Sequence, residues 1–538
     1  MARALPAAGL PLTAQLLLAA VAGLAQAASL AWPWSGEPLW WLQLLSLGVV
    51  GWLVQPWPSQ EEGAWQRGAL IGGLFATAWL AGTFWWLFIS MHVYGGLASP
   101  LAVAAVLGLA AFLASYYAVA LGLFCALAPA SRALAAILFG ALWLLAELAR
   151  GTLWTGFPWG AGGYAHVDGP LAPLARHVGV YGISAVAAAL AMAAVRLRQS
   201  DLRRWRTWAV LLAIAAVMAL AALDRFCAVN LCHTGARPAA RPLSLELLQG
   251  NIPQDEKFQP GSGVPLALKW YADTLRSAQA DLVVAPETAI PLLPQQLVPG
   301  YLEGLRQHFT NTGRAALVGI PMGDDLRGYT NSVLSLSGNG PGYQYDKHHL
   351  VPFGEFIPPF FKWFTAMMDI PLGDFNRGAV GQPSFAWAGQ RIAPNICYED
   401  LFGEELGARF LDPAQAPTVF VNLSNIGWFG NTLAIDQHLH ISRMRALEFE
   451  RPMVRATNTG ATAIIDHRGR VTHQLERHTR GMLRGEVEGR GVDAEGGWAI
   501  TPYAWWVSRW GLWPLWAIGA FALAGAWLAR RMKARRAV

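Results

Sequence analysis

Three side chains that could carry out covalent chemistry follow apolar, strand-like segments of the chain. Cys397 lies in NICYED, Glu287 in APET, and Lys347 in YDKHHLVPFGEF, with Glu355 eight residues further on. A free thiol has a pKa of about 8.5, so it needs a base or a nearby cation to become a useful nucleophile. Glu287 could remove the thiol proton, and Lys347 could stabilise negative charge on a carbonyl oxygen. These residue types predict covalent catalysis through Cys397.

Spacing alone leaves structural alternatives open for the same residues. A buried cysteine often serves as a small apolar side chain, and Glu287 with Lys347 could form an ordinary ion pair. The neighbouring His348 and His349 lack the cysteine or carboxylate spacing of a zinc site, so no metal is expected.

The segment from 241 to about 488 alternates short β-rich runs with helical ones, which predicts a layered α/β domain of about 250 residues. Glu287, Cys397 and Asn425 each follow an apolar run closely. Sites in α/β sheets are built at strand ends and in the loops beyond them. We therefore expect the sheet to bring these side chains together.

The composition excludes a chain that is soluble throughout. Of its 538 residues 54% are hydrophobic and only 14% charged, whereas soluble domains have about 25% charged residues. The 26 Trp concentrate at the ends of apolar runs, as at membrane interfaces. The net charge of +6 comes from short basic runs beside apolar segments, which favours membrane orientation over nucleic-acid binding. The low cysteine count, four, excludes a disulfide scaffold.

About eight apolar runs approach the roughly 20 residues that a membrane-spanning helix needs. They cover residues 5–28, 39–54, 68–91, 98–128, 133–148, 170–195, 208–223 and 512–528. The first run also resembles a signal peptide. The segment 151–169 is too polar and glycine-rich to span, and its aromatic residues predict an interfacial arm, with an ordinary loop as the alternative.

Basic clusters predict the orientation of the chain. Arginines crowd the connection near 196–206, and arginines and lysine follow the last run at 530–536. The positive-inside rule places both clusters in the cytoplasm. The expected domains are a transmembrane domain of about seven helices (1–223), an extracytoplasmic, periplasmic catalytic domain (224–505), and a final helix with a basic cytoplasmic tail (506–538).

The motifs APET, YDKHHLVPFGEF and NICYED resemble the nitrilase, or carbon–nitrogen hydrolase, superfamily. The whole chain resembles the apolipoprotein N-acyltransferase family, which is the membrane-embedded branch, through TGFPWGAGGY, QGNIPQ, WFGNT, MRALE and RATNTG. The resemblance implies a multi-pass α-helical membrane domain of about eight helices and an α/β nitrilase-like αββα sandwich, located in the bacterial inner membrane.

The resemblance also implies roles for matching residues. Cys397 would accept an acyl chain as a thioester, Glu287 would be the general base, and Lys347 would support the oxyanion. Glu355 would be a second carboxylate that orders the site. No cofactor is implied.

Two more positions next to the nucleophile and two aromatic residues complete the implied site. Tyr398 and Glu399 would line the site, while Phe258 and Trp428 would contact lipid. The family usually has a Lys-Trp pair where this chain has Lys257-Phe258, and SNDAWFG where it has SNIGWFG. The carboxylate of that second motif is absent, so no catalytic part is assigned to it.

The implied reaction is a ping-pong transfer. Cys397 would take the sn-1 acyl chain of a phospholipid, phosphatidylethanolamine being the expected donor. The thioester would then acylate the α-amine of the S-diacylglyceryl cysteine that begins an apolipoprotein, the last step of lipoprotein maturation. One alternative is a membrane-tethered amidase or nitrilase acting on a small amide. A transporter or scaffold with an inert domain is another, but few charges lie within the apolar runs. No nucleic-acid partner is expected.

Overall fold

The computed structural model describes residues 10–55, 63–197, 241–337, 342–357, 374–492 and 499–536, with isolated residues between 201 and 238. The chain divides into two compact units. The first contains Met1–Trp85, Val103–Cys232 and Leu512–Val538, and the second contains Trp86–Ala102 and His233–Gly511. The second unit therefore takes in a short segment that lies, in sequence, between two apolar helices.

The first unit is helical, as its apolar runs predict. Its helices among the described residues are Leu12–Leu30, Trp40–Val54, Ala64–Phe84, Arg132–Thr152, Ala175–Val195 and Trp513–Arg536, together with most of Ser99–Leu127. Within the described residues, four helices are long and apolar enough to cross a membrane, or six if two bent pairs each count as one span. The bends follow Phe84, by 61°, and Trp510, by 87°.

The expected number of eight spans is thus not confirmed. Trp40–Val54 has only 15 residues, fewer than the roughly 20 that a span needs. The expected span at 208–223 lies almost entirely outside the described residues. The fold class itself, an apolar helical region followed by an α/β domain, is confirmed.

The segment 151–169 is mostly packed into the helical unit. Trp159 and Tyr164 are buried, whereas Trp154 is 82% exposed. The Gly162 amide donates to Glu147 at 3.0 Å, and its carbonyl accepts from Gln43 at 2.6 Å. Side chains of the helices thus form hydrogen bonds with the buried backbone of this irregular stretch. An interfacial position remains a prediction for the exposed tip at Trp154.

Among the described residues, the second unit contains two six-stranded sheets and a short two-stranded one. Its strands are β1 Arg237–Pro238, β2 Leu243–Gln249, β3 Leu282–Val284, β4 Ala315–Asp324, β5 Gly328–Leu336, β6 Gln344–Asp346, β7 Phe385–Trp387, β8 Gln390–Ile396, β9 Val419–Ser424, β10 Met453–Thr457, β11 Ala463–Ile465, β12 Val471–Gln474, β13 Gly481–Val487 and β14 Arg490–Val492. The orders are β13-β2-β3-β4-β5-β6, β12-β11-β10-β9-β8-β7 and β1-β14. Strands β2, β3 and β4 run parallel, as do β8, β9 and β10.

Among the described residues, the helices of the second unit are Leu87–Ile89 with a π-helical turn at Ser90–Tyr94, Gly263–Ser277, Tyr301–Thr312, Gly403–Gly407, Ala434–Phe449 and Pro502–Trp510.

The two large sheets pack against each other. Leu247 and Val284 of one sheet share a buried core with Ile396 and Val421 of the other. This core between two sheets is the centre of the sandwich.

Each sheet carries helices on its other face. Leu305 and Phe309, in the helix Tyr301–Thr312, pack with Val283 of β3 in a second core. On the opposite side the ring of Phe449, which ends the helix Ala434–Phe449, lies 5.4 Å from that of Phe420 in β9. The layers therefore follow the order helix, sheet, sheet, helix.

Candidate active site

Cys397 directly follows β8 and has a backbone φ of +52°, a left-handed conformation that costs energy for a residue with a side chain. Its carbonyl oxygen accepts from the side-chain amide of Asn422 at 3.1 Å and lies 3.2 Å from His438 Nε2. His438 is buried and pairs with Asp400 at 2.9 Å. These contacts fix the turn that presents the thiol.

The thiol is protonated in the resting protein. Burial and, to a smaller extent, the carboxylate of Glu287 raise the pKa of Cys397 to about 12, although Lys347 opposes the shift. Because so little thiolate exists at neutral pH, nucleophilic attack by Cys397 needs a base that removes the proton.

A buried cluster of two carboxylates, one ammonium and one amide lies beside Cys397. Lys347 Nζ is 3.3 Å from Glu287 Oε1 and 2.8 Å from Glu355. The side-chain nitrogen of Asn331 donates to both carboxylates at 2.8 Å, and the backbone N–H of Asn425 donates to Glu287 Oε2 at 2.8 Å. The structure thus brings together the predicted base, the predicted cation and the second carboxylate.

The cluster keeps its groups ionised. Burial favours neutral Glu287, but Lys347 and Lys257 outweigh burial and hold the pKa of Glu287 below its ordinary value. Burial alone would lower the pKa of Lys347, yet Glu355 and Glu287 raise it above its ordinary value. The site therefore contains a carboxylate ready to accept a proton and a cation that stays charged.

Sequence reasoning missed two members of this site. Asn331 lies in β5, where the only signal is a polar side chain in a strand-like run. Lys257 is 2% exposed, and its ammonium donates to the Glu287 carbonyl at 3.0 Å. Burial lowers the pKa of Lys257 to about 7, although Glu287 and Cys397 counteract the shift. The sequence motif predicts a role for Phe258 of the Lys257-Phe258 pair but none for Lys257.

Glu399 connects the turn at Cys397 to the segment that carries Lys347. Its carboxylate accepts from the N–H of Ile396 at 2.6 Å, from the N–H of His348 at 2.7 Å and from the Tyr345 hydroxyl at 2.8 Å. Burial raises the pKa of Glu399. Through these contacts Glu399 fixes the positions of the two segments relative to each other.

The predicted aromatic residues occupy different surroundings. Tyr398 is buried, with its ring 5.3 Å from that of Phe402. Phe258 is half-buried next to Lys257, and Trp428 is half-buried with its ring 5.9 Å from that of Tyr94. Contact of Phe258 and Trp428 with lipid remains a prediction. Among the described residues, no group of three His, Cys, Asp or Glu is arranged to hold a metal.

The carbon–nitrogen hydrolase family model matches residues 193–493, so the αββα domain with its cysteine at a strand end belongs to that class of protein. The model of the apolipoprotein N-acyltransferase N-terminal domain matches residues 16–193. The chain belongs to the apolipoprotein N-acyltransferase family.

Curated relatives match nearly the whole chain. The apolipoprotein N-acyltransferase of Verminephrobacter eiseniae is 74% identical over 95% of this chain and 95% of its own length. That of Ralstonia nicotianae is 45% identical over 92% and 90%. Among solved structures, a carbon–nitrogen hydrolase superfamily protein from Xanthomonas campestris is 19% identical, with a TM-score of 0.36, covering 46% of this chain and 90% of its own.

Proposed function

We propose that this protein transfers an acyl chain from a membrane phospholipid, through a thioester on Cys397, to the N-terminal α-amine of diacylglyceryl apolipoproteins. The observation that supports this most is the buried contact of Lys347 with Glu287 and Glu355 next to the thiol. The relatives' names support the choice of acyl acceptor, and the apolar helices support the membrane setting.

In the first half-reaction Glu287 removes the Sγ proton of Cys397 as the sulfur attacks the sn-1 ester carbonyl. The ammonium of Lys347 stabilises the oxyanion of the tetrahedral intermediate. The ester C–O bond then breaks, and the leaving oxygen takes the proton from Glu287. Lysophospholipid departs, and Cys397 holds the acyl chain as a thioester.

In the second half-reaction the neutral α-amine of the acceptor attacks the thioester carbonyl. Glu287 accepts a proton from the attacking nitrogen and returns it to the departing sulfur of Cys397. The products are an amide and a free thiol, so the enzyme is regenerated. Dividing the transfer in this way replaces one difficult exchange by two easier ones.

Both substrates are anchored by acyl chains, each buried CH₂ contributing about 0.8 kcal/mol of membrane affinity. They stay in the bilayer, which is why a catalytic domain would be joined to membrane helices. Phosphatidylethanolamine is the proposed donor. The proposed orientation has the catalytic domain in the periplasm and the basic C-terminus in the cytoplasm of an inner-membrane protein.

An amidase or nitrilase acting on a small amide would use the same cysteine chemistry. The full-length curated relatives named as N-acyltransferases do not favour it. Turnover of a soluble amide without phospholipid would be the distinguishing activity.

The proposal is tested with purified full-length protein and phospholipid radiolabelled in its sn-1 chain. The expected result is label bound to the protein and released onto a diacylglyceryl-cysteine peptide when that acceptor is added. Cys397→Ser should bind no label, whereas the Cys125→Ser control, which alters a cysteine of the helical unit, should label normally. Persistent labelling of Cys397→Ser would overturn the assignment of the nucleophile.

A further inference from the structure

Two buried amide side chains lie beside the proposed base and take no part in the chemistry described above. Asn425 Nδ2 donates to Gln254 Oε1 at 2.9 Å. Asn425 is 4% exposed and Gln254 is 7% exposed. The other two polar atoms, Asn425 Oδ1 and Gln254 Nε2, are buried and have no hydrogen-bond partner among the described residues. This pair therefore presents one free acceptor and one free donor.

Either orientation of the two amides leaves one acceptor and one donor unpaired. Oxygen and nitrogen of an amide side chain are assigned from their hydrogen bonds. Rotating both amides would reverse the bond between Asn425 and Gln254 and would again leave one oxygen and one nitrogen free. Buried polar atoms are nearly always paired in native proteins, so these two atoms need a partner from outside the described residues, either water or a ligand with matching groups.

The amide pair adjoins the group that transfers protons. The backbone N–H of Asn425 donates to Glu287 Oε2, so a ligand on the side chain of Asn425 is also close to the base. Gly427, which has no side chain, lies directly beside the pair. A Cβ at that position would lie 3.2 Å from Gln254 Oε1 and 3.4 Å from Asn425 Oδ1.

We propose that Asn425 and Gln254 bind the N-terminal residue of the acyl acceptor. The free oxygen accepts one N–H of the α-amine, and the free nitrogen donates to the carbonyl oxygen of the same residue. The other N–H of the amine is then directed towards Glu287, which receives the proton during attack. This inference rests on the proposed function and adds how the acceptor is recognised.

An ethanolamine phospholipid offers similar chemistry, because its headgroup has an ammonium and its glycerol has ester carbonyls. The position beside Glu287 favours the acceptor. The amine that reacts must lose a proton to the base, whereas the headgroup ammonium of the donor loses none. Binding of the acceptor amine here would also favour its attack on the thioester over attack by water.

The test uses two near-isosteric variants of the full-length protein, Gln254→Met and Asn425→Leu, in single-turnover experiments with each half-reaction measured separately. Acyl-enzyme formation is measured with phosphatidylethanolamine and with phosphatidylglycerol. The isolated acyl-enzyme is then mixed with a diacylglyceryl-cysteine peptide or with buffer alone. Gln295→Met, at an exposed glutamine that donates to a backbone carbonyl, is the matched control.

The expected result is acyl-enzyme formation within about twofold of the parent protein with both lipids, and transfer to the peptide slowed about tenfold or more, the effect of losing one hydrogen bond to a charged or reacting group. Hydrolysis by water should keep its rate, so more free fatty acid is released per turnover. The apparent KM for the peptide should rise in both variants and stay unchanged in Gln295→Met.

Three outcomes would overturn the inference. Unchanged peptide transfer in both variants would mean that the amides do not bind the acceptor. Selective loss of acylation from phosphatidylethanolamine would assign them to the donor headgroup, and equal loss of both half-reactions with both lipids would make them structural. If the parent protein itself forms no acyl-enzyme, the proposed function fails instead.

Discussion

At the residue scale, the site depends on how charges are balanced in a buried space. Two carboxylates, Glu287 and Glu355, share the ammonium of Lys347, and a second ammonium, Lys257, contacts the backbone of Glu287. These cations keep Glu287 ionised despite its burial. Glu287 is therefore available as the proposed base for the thiol, whose own pKa is too high for it to ionise unaided.

Replacing Lys257 should alter the pH dependence of acylation. Acylation requires ionised Glu287, so its rate falls as the pH drops through the pKa of that carboxyl. Lys257, with a pKa lowered to about 7, is charged in this acidic range and helps keep the pKa of Glu287 low. Lys257→Met removes that charge, so the acidic limb of the rate profile should move to higher pH, as measured by single-turnover acylation.

The matched control for this prediction is Lys269→Met, since Lys269 is an exposed lysine paired with Asp273 at 2.7 Å. Its acidic limb should coincide with that of the parent protein. A limb that stays in place or moves to lower pH in Lys257→Met would show that Lys257 does not support the ionisation of Glu287.

At the scale of elements, site residues that follow a strand can be predicted from the sequence, whereas site residues that reach the site from distant segments cannot. Glu287 and Cys397 are recognisable because a polar residue ends or follows an apolar run. Lys257 reaches the Glu287 carbonyl across 30 residues of sequence, and Asn331 reaches the Glu287 carboxylate across 44. Such contacts are set by strand pairing and loop paths, which local periodicity does not encode.

The same limit applies to the membrane span predicted at 68–91. Hydropathy identifies apolar runs but does not show where a helix bends. The run predicted at 68–91 divides into Ala64–Phe84 and Leu87–Tyr94, which are bent by 61°. The segment after the bend belongs to the second unit, the unit that contains the candidate active site. There the ring N–H of Trp86 donates to the side chain of Gln437 at 3.1 Å. A pairing between residues 351 positions apart has no local signature.

The core between the two sheets should contribute strongly to the free energy of unfolding of the second unit. Leu247 is fully buried in β2 and packs in that core. Leu247→Ala should lower the free energy of unfolding by about 2–5 kcal/mol, because it removes apolar contacts and leaves a cavity. The melting temperature of this unit, followed in detergent by circular dichroism, should fall by roughly 5–15 °C.

Leu326→Ala is the control for this prediction, because Leu326 is 98% exposed at the turn between β4 and β5. Its melting temperature should match that of the parent protein. Equal effects of the two substitutions would contradict the assignment of the core to the space between the sheets.

At the scale of the whole molecule, the proposed orientation places the catalytic domain in the periplasm and the basic C-terminal tail in the cytoplasm. Exposed positions 269 and 535 lie in the catalytic domain and in the basic C-terminal tail. In a cysteine-free background, Lys269→Cys should react with a membrane-impermeant maleimide from the periplasmic side. Arg535→Cys should react only after the inner membrane is broken. The reverse pattern would contradict the orientation.

The central claim is that Cys397 carries the acyl chain during transfer. Mass spectrometry of the full-length protein, incubated with a phospholipid of defined sn-1 chain and then digested, tests it most directly. The peptide containing Cys397 should gain the mass of that acyl group, lose it to neutral hydroxylamine as a thioester does, and lose it when a diacylglyceryl-cysteine peptide is added. An unmodified Cys397 peptide while the acylated acceptor accumulates, or the acyl mass on another residue, would contradict the account.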